Sequence, residues 1–572
     1  MSVAGSAREG SPALSRRLLT GDRLFRAGAL GLTALLLFVF VAFPIWAILR
    51  EGFVLADGTW GFGNFIDYFR DPRFLTITGR SLLVAVSATV ITVVLAYGFA
   101  YALVRTAMPC KGLFRFAAFL PVFAPSLVQA LGVQFLLGRN GLVSNLLGIR
   151  LDIYGFWGIL ISDVVYAFPH AVLIIVTALS VTDGRLYEAG RMLGASEFRL
   201  FRTVTVPASR YGVMSAAFVV FTIVITDFGN AMVIGGDYSV LATEIYNQVS
   251  GQANFRLGAV IGIVLLIPAA LAMFVERLVA RRNTALLSER SAPLVLRKSA
   301  LRDACALAYA ALICGLILLI VGIVVLASFV KLWPYDVTLT VRHYVTDVQN
   351  GYAPLWTSLW MSLIAAVLGT ALVVLHAYMI EKVSHPFTRI LYFLSILPAA
   401  VPGMVLGLGY ILAFNDPANP VYWLYGTVWL LAINTIFHYH AQAFLIATTN
   451  IKQISRTFDE ASAMLGATFL RTMARIALPL LLPSLLNIGL FLFMRAMVTL
   501  SAVIFLVSPR NTVAAVSVLL LDDSGKASQA AAFSVVIMVV VLAVSAGFNL
   551  LLRIPLARQQ IGHSPAEFRG TR

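Results

Sequence analysis

The sequence predicts an all-α integral membrane protein with about twelve transmembrane helices, arranged as two parallel six-helix repeats. Three observations predict it. Of 572 residues, 60% are hydrophobic and only 12% charged, too few charges to cover a soluble chain of this length. Twelve apolar runs approach or exceed the roughly 20 residues a helix needs to cross about 30 Å of hydrocarbon. The second half also repeats the first, in register and in the same orientation.

The runs of the first half fall at 27–49, 81–104, 113–137, 156–179, 211–234 and 258–280; those of the second fall at 304–330, 357–380, 390–414, 427–448, 482–507 and 530–552. The first run is too long for a signal-peptide core and follows an Arg-bearing stretch, so it reads as a retained span behind a cytoplasmic tail at 1–26. With that tail inside, about 30 of the 42 Lys and Arg lie in cytoplasmic segments and about 11 on the opposite side. The positive-inside rule then places both termini in the cytoplasm. The net charge of +16 is spread over alternate loops, so it sets topology and gives no reason to expect nucleic acid as a partner. Three cysteines make no disulfide framework: Cys110 sits in a short basic loop, and Cys305 and Cys314 read as small apolar residues of a span.

An offset of 277 residues carries Ser81-Leu82 onto Ser358-Leu359, Ala100-Tyr101 onto Ala377-Tyr378, and Pro109, Pro121 and Pro125 onto Pro386, Pro398 and Pro402. Further on the offset is 272: Trp157 matches Trp429, and Met192-Leu193-Gly194-Ala195 matches Met464-Leu465-Gly466-Ala467. Six spans per half, in one orientation, make this a parallel repeat about an axis along the membrane normal. The first repeat occupies 27–280 (core about 78–275), the second 304–552 (core about 357–550). A basic cytoplasmic linker at 281–303 joins them, and a tail follows at 553–572. Prolines 121, 125, 398 and 402 are expected to break their helices, which packed membrane helices tolerate.

Between the fourth and fifth spans of each half runs a cytoplasmic segment of about 30 residues. One contains YEAGRMLGASEFRLFRTVTVP (187–207), the other DEASAMLGATFLRTMARIALP (459–479). Each predicts a short helix, a turn at glycine, and a second helix that ends or bends at proline. Leu186, Gly190 and Leu193 fall on one helical face, as do Phe458, Ser462 and Leu465. Such a face, mixing large anchors with small residues, permits close approach by a partner. Gly194 and Gly466 suit the backbone of a tight turn. Apolar side chains facing the cytosol call for a protein to cover them.

These segments resemble the EAA loop of binding-protein-dependent ABC-importer permeases: Glu-Ala-Ala, three residues, Gly, nine residues, then Ile-x-Leu-Pro. The first copy reads Glu188-Ala189-Gly190, Gly194 and Val204-Thr205-Val206-Pro207. The second reads Glu460-Ala461-Ser462, Gly466 and Ile476-Ala477-Leu478-Pro479. Spacing is kept in both, and the departures are small-for-small or aliphatic. The resemblance implies a fold like that of type I importer permeases, in a bacterial inner membrane, with each loop docked on an ATP-hydrolysing subunit. Two ATP-binding cassette subunits and an external substrate-binding protein are therefore the expected partners. The chain has no Gly-x-x-x-x-Gly-Lys-Ser/Thr loop, and Ser524-Gly525-Lys526 lacks the upstream glycine. It is expected to be a transporter subunit rather than an enzyme, to bind no cofactor, and to leave ATP to its partners.

Ionisable groups inside spans are costly and mark candidate pathways. Asp227 and Asn230 in TDFGN (226–230), with Arg495, Thr499 and Ser501 in MRAMVTLSAV (494–503), occupy equivalent spans and are expected to border the path. The alternative is that Asp227 and Arg495 pair to hold the halves together. Asp163, His170, His376, His438 and His440 read as polar residues between packed helices, with His438 and His440 on different faces. DFGNAMVIGGDYSVLATEIY (227–246) and AMVTLSAVIFLVSP (496–509) resemble fused permeases of the iron(III) and 2-aminoethylphosphonate group. That implies an organophosphorus anion or iron(III) as cargo. The rival class, a proton- or sodium-coupled secondary transporter, can have the same twelve-span symmetry but has no reason to repeat a docking loop.

Overall fold

The computed structural model describes residues 12–149, 151–284, 296, 298–345 and 351–561. Much of the linker at 281–303, and the outer parts of both tails, lie outside the described residues. Among those described, nine helices are long and apolar enough to cross a membrane: Asp22–Phe53, Pro72–Arg105, Phe156–Ser180, Glu197–Ile225, Phe255–Ala280, Ala300–Ser328, Ala353–Lys382, Phe469–Val498 and Ala527–Leu550. Three bent pairs complete the set. Lys111–Phe123 meets Leu127–Leu147 at 105°, Thr388–Ala400 meets Gly403–Phe414 at 115°, and Val428–His438 meets His440–Gln453 at 56°. Each pair counted as one broken span gives twelve, in the expected order.

The third and ninth spans bend where the prolines stand. Pro121 opens a 3₁₀ turn at Leu120–Phe123 and Pro398 one at Leu397–Ala400. Proline lacks an N–H and crowds the preceding turn, so the helix restarts in a new direction. The bend at Tyr439 has no proline and was not expected.

The fifth and eleventh spans correct the sequence reading at both ends. They start at Glu197 and Phe469, well before 211 and 482, because the second helix of each loop does not end at its proline. A π turn, Phe201–Thr205 or Met473–Ala477, precedes Pro207 or Pro479, and the helix then runs on into the membrane. The wider turn makes room for the proline ring without breaking the axis. At their far ends these helices stop at Ile225 and Val498, short of 234 and 507.

The halves are interlocked by their first helices. The first span packs on Gly403–Phe414 of the second half, and Ala300–Ser328 packs on Leu127–Leu137 of the first. Tyr410 donates to the carbonyl of Phe40 at 2.8 Å, and Tyr309 to that of Leu95 at 2.9 Å. Gly132 and Gly409 stand at the two crossings. A Cβ on Gly132 would collide with the Ile320 carbonyl, and one on Gly409 with the Pro44 carbonyl. Missing side chains let membrane helices touch through their backbones.

Candidate functional site

Where the fifth and eleventh helices stop, the chain breaks at equivalent places. Asp227 lies in the Thr226–Phe228 break before the short helix Gly229–Ile234. An offset of 272 carries it onto Thr499, the first residue beyond the eleventh helix. These two breaks meet the proline breaks of the third and ninth spans around a cavity of about 160 Å³. Irregular backbone at membrane depth is tolerated where it lines a cavity, and here four such stretches do so together.

Asp227, Arg495, Thr499 and Ser501 line this cavity. Asn230 does not: it is fully buried behind the wall. Its Nδ2 donates to Asp163 at 2.9 Å and its backbone N–H to Asp227 at 2.8 Å. Asn230 therefore links two carboxylates behind the cavity instead of lining it. Among the described residues no ion pair joins Asp227 to Arg495. The Arg495 guanidinium lies over the Tyr439 ring, 5.3 Å from its centroid, and its buried Nε has no hydrogen-bond partner.

Among the lining residues that sequence reasoning did not place there are Tyr166, His438, Tyr439 and Gln442. A signal was present, since the 272-residue offset pairs Tyr166 with His438, two polar aromatic residues at one repeat position. His438 and His440 do face different ways. His438 lines the cavity, whereas His440 is packed away, its Nε2 3.0 Å from His376 Nδ1 and its Nδ1 3.1 Å from the Ser395 carbonyl.

The two loops have a common build. Gly184–Met192 and Arg456–Met464 form the first helices, N-capped by Asp183 and Ser455. The chain turns at Gly194 and Gly466, with φ of 76° and 70°. A Cβ at either glycine would meet nothing within 4 Å, so the requirement is for left-handed backbone and not for space. Glu188, Ala189, Glu460 and Ala461 are exposed on the helix surface, and Pro207 and Pro479 sit in the first turn after each π turn.

The expected mixed face is not a single face. Gly190 presses against Leu200, and buried Ser462 shares a hydrogen bond of 2.6 Å with Thr472. These small residues let the second helix of the loop pack close to the first, so they face inward. The outward apolar residues are Met192 and Leu193, 88% and 86% exposed, and Met464 and Leu465, 89% and 87% exposed. Two adjacent large apolar side chains so bare, at the same spot in both halves, form a matched pair of knobs.

Residues 105–285 and 374–554 both match the family described as "Binding-protein-dependent transport system inner membrane component". The chain belongs to that family. Each match takes in one loop and its half of the cavity wall, and leaves out the crossed first helices. Similar curated proteins include the ferric transport system permease protein FbpB of Actinobacillus pleuropneumoniae, 30% identical over 94% of this chain and 80% of its own length. The putative ferric transport system permease protein FbpB 1 of Haemophilus influenzae is 30% identical over 86% and 79%. The spermidine/putrescine permease protein PotC of Escherichia coli K12 is 28% identical over 37% of this chain and 77% of its own, so it aligns with less than half of the fused chain.

As a fused permease of this family the chain is a transporter subunit and not an enzyme, a multi-pass component of the inner membrane in an ABC-type importer. Such permeases work with ATPase and substrate-binding partners. The family sets aside the secondary-transporter reading.

Proposed function

We propose that this permease imports iron(III), with one ATP-hydrolysing subunit docked on each loop and both termini in the cytoplasm. The observation that carries the cargo is the likeness, along nearly the whole chain, to two permeases named for ferric transport. The cavity chemistry is compatible: the Asp227 carboxylate and the phenols of Tyr166 and Tyr439 offer oxygen to a small, highly charged cation passing through a low-dielectric wall. Asp227, Arg495, Thr499 and Ser501 border the path, and Asn230 holds Asp227 in place.

A second reading has one specific support. Arg495 lines the cavity with no carboxylate paired to it among the described residues, which suits an anion, and the stretch 496–509 resembles permeases for 2-aminoethylphosphonate. Loss of the gene separates the two. Iron(III) transport predicts lost uptake of radioactive iron and lost growth under chelation, restored by the wild-type chain but not by Asp227→Asn. Intact iron uptake with lost growth on 2-aminoethylphosphonate as phosphorus source would instead establish the organophosphorus anion.

Two docked ATPases are supported by the matched knobs, and the mass of the purified complex tests the number. The orientation is supported by the charge count and by Asp22, near the start of the first span, which accepts the N–H of Phe469 at 2.6 Å. The N-terminal end of that span thus shares a side with the loops. Cys110 is exposed five residues after Arg105, which lies over Tyr187 of the first loop, so it too stands on the loop side. An impermeant maleimide should label it in inside-out vesicles and spare it in intact cells; the reverse pattern would invert the topology.

A further inference from the structure

Near the start of the first span a groove of about 380 Å³ opens between Asp22–Phe53 and the turn after Ala353–Lys382. Its floor is apolar, formed by Leu30, Gly31, Ala34 and Phe387, and its rim carries Arg23 and His385. Gly31 faces open space, since a Cβ there would meet nothing within 4 Å, so a longer side chain would project into the groove. His385 Nδ1 accepts the N–H of Phe387 at 3.2 Å, which leaves Nε2–H to donate outward.

The matching place in the other half is lined differently. The helix crossings pair Pro44 with Ile320, and the same offset of 276 sets Leu307 against Gly31 and Asp303 against Ala27. Leu307 packs half-buried against the core there, and Asp303 accepts the N–H of Ala107 at 3.1 Å. Opposite them stands buried Met108, where the second half has exposed His385. The groove thus has a glycine where the other half has a leucine, and an exposed histidine where the other half has a buried methionine.

We propose that this groove binds one anionic phospholipid of the leaflet on the loop side, acyl chain on the apolar floor and headgroup phosphate at Arg23 and His385. The sequence supplies the charge complement: Arg16, Arg17, Arg23 and Arg26 stand within the 11 residues 16–26, against the single acid Asp22. Basic residues at the membrane end of a span attract anionic lipid. The occupant also touches the coupling machinery, because the same helix turn holds the second loop. Asp22 binds the Phe469 N–H, and Arg26 pairs with Asp22 at 2.6 Å while lying over the Phe469 ring. A lipid seated beside that turn would stiffen the seat of the second loop and leave the first untouched.

The test is native mass spectrometry of the purified permease after exchange into dioleoylphosphatidylglycerol or dioleoylphosphatidylcholine, with wild type, Gly31→Leu and Arg23→Gln compared. Wild type should retain one phosphatidylglycerol and no phosphatidylcholine. Arg23→Gln should lower retention about fivefold, which is what one arginine at a membrane surface is worth. Gly31→Leu should abolish retention at an unchanged melting temperature. Equal retention by wild type and both variants, or equal retention of the two lipids, would overturn the proposal. So would unchanged lipid with weakened ATPase capture in the groove variants, which would make the groove a protein contact. The lipid readout is independent of cargo and membrane orientation, so its failure is separable from theirs.

Discussion

At one repeat position the first half sets a ring and the second a charge. Arg105 lies over Tyr187, 4.8 Å from its centroid, and the equivalent Lys382 meets the equivalent Asp459 at 2.6 Å. The loops differ again one helix on. Arg191 and Glu197 pair at 2.9 Å within the first loop, whereas the matching residues of the second are Ala463 and Phe469. Phe469 is held by Asp22 and Arg26 of the first span. Each loop is also met by a crossing helix, but differently: Arg302 stands beside Arg191 and Glu197 around a small cavity at the first loop, whereas Asp22 and Arg26 bind Phe469 directly at the second. The outward knobs are nonetheless alike. The supports thus differ between the halves while the outward surface of the loops is matched, which is what the proposed docking of two like ATPase surfaces requires.

The largest effect that could break this likeness is at the knobs. Replacing Met192 and Leu193, or Met464 and Leu465, by aspartate removes two side chains whose burial contributes roughly 1.5–3 kcal/mol each. Capture of the ATPase should fall by about a hundredfold or more at the altered loop. Measured by co-purification, either double variant should halve the ATPase recovered and abolish uptake. A variant that retains both ATPases would show that the knobs do not dock.

Next come the helix crossings. Gly132→Val and Gly409→Val each drive a side chain into a backbone carbonyl of the other half, and overpacking of this kind costs about 1–3 kcal/mol. Thermal unfolding in detergent should move down for both. A shift for one alone would mean that the halves are not locked symmetrically.

Neither crossing was legible in the sequence, and the reason is physical. Apolar periodicity reports which residues avoid water, but a membrane helix is apolar on every side, so it says nothing about which neighbour it chooses. Gly132 and Gly409, at one repeat position, were the available sign. The twelve spans, the proline breaks and the loops were legible because length, missing N–H groups and spacing are local properties. Boundaries failed where local signs conflicted. Arg471, Arg475 and Pro479 look like loop, yet a π turn absorbs the proline and the helix continues. At the site, Asp227 and Arg495 stood out because charge in a span is rare, whereas Asn230, Tyr166 and Tyr439 could be sorted only by seeing which way they face.

A smaller effect tests the turns. At Gly194 and Gly466 an alanine meets no atom but must adopt left-handed backbone, which costs about 1–2 kcal/mol. Gly194→Ala and Gly466→Ala should weaken ATPase capture about tenfold, and should do so equally, since the two turns have nearly the same φ. Unequal losses would mean that the supports behind the turns, and not the turns themselves, set the docking geometry.

The smallest effect separates those supports. The Lys382–Asp459 pair is partly exposed, with side chains 15% and 35% accessible, and such pairs contribute about 0–1 kcal/mol and weaken with salt. Arg105 is buried, bonded to the Leu179 carbonyl at 2.8 Å and stacked on Tyr187, an arrangement that salt reaches poorly. Hydrogen exchange should therefore quicken with ionic strength in Arg456–Met464 and hold steady in Gly184–Met192. Asp459→Asn should remove the salt response of the second loop. Tyr187→Asp, which gives Arg105 a carboxylate in place of a ring, should confer a salt response on the first. If both loops already respond alike in the wild-type chain, the ring and the ion pair are equivalent braces, and the divergence between the halves has no mechanical consequence at this position.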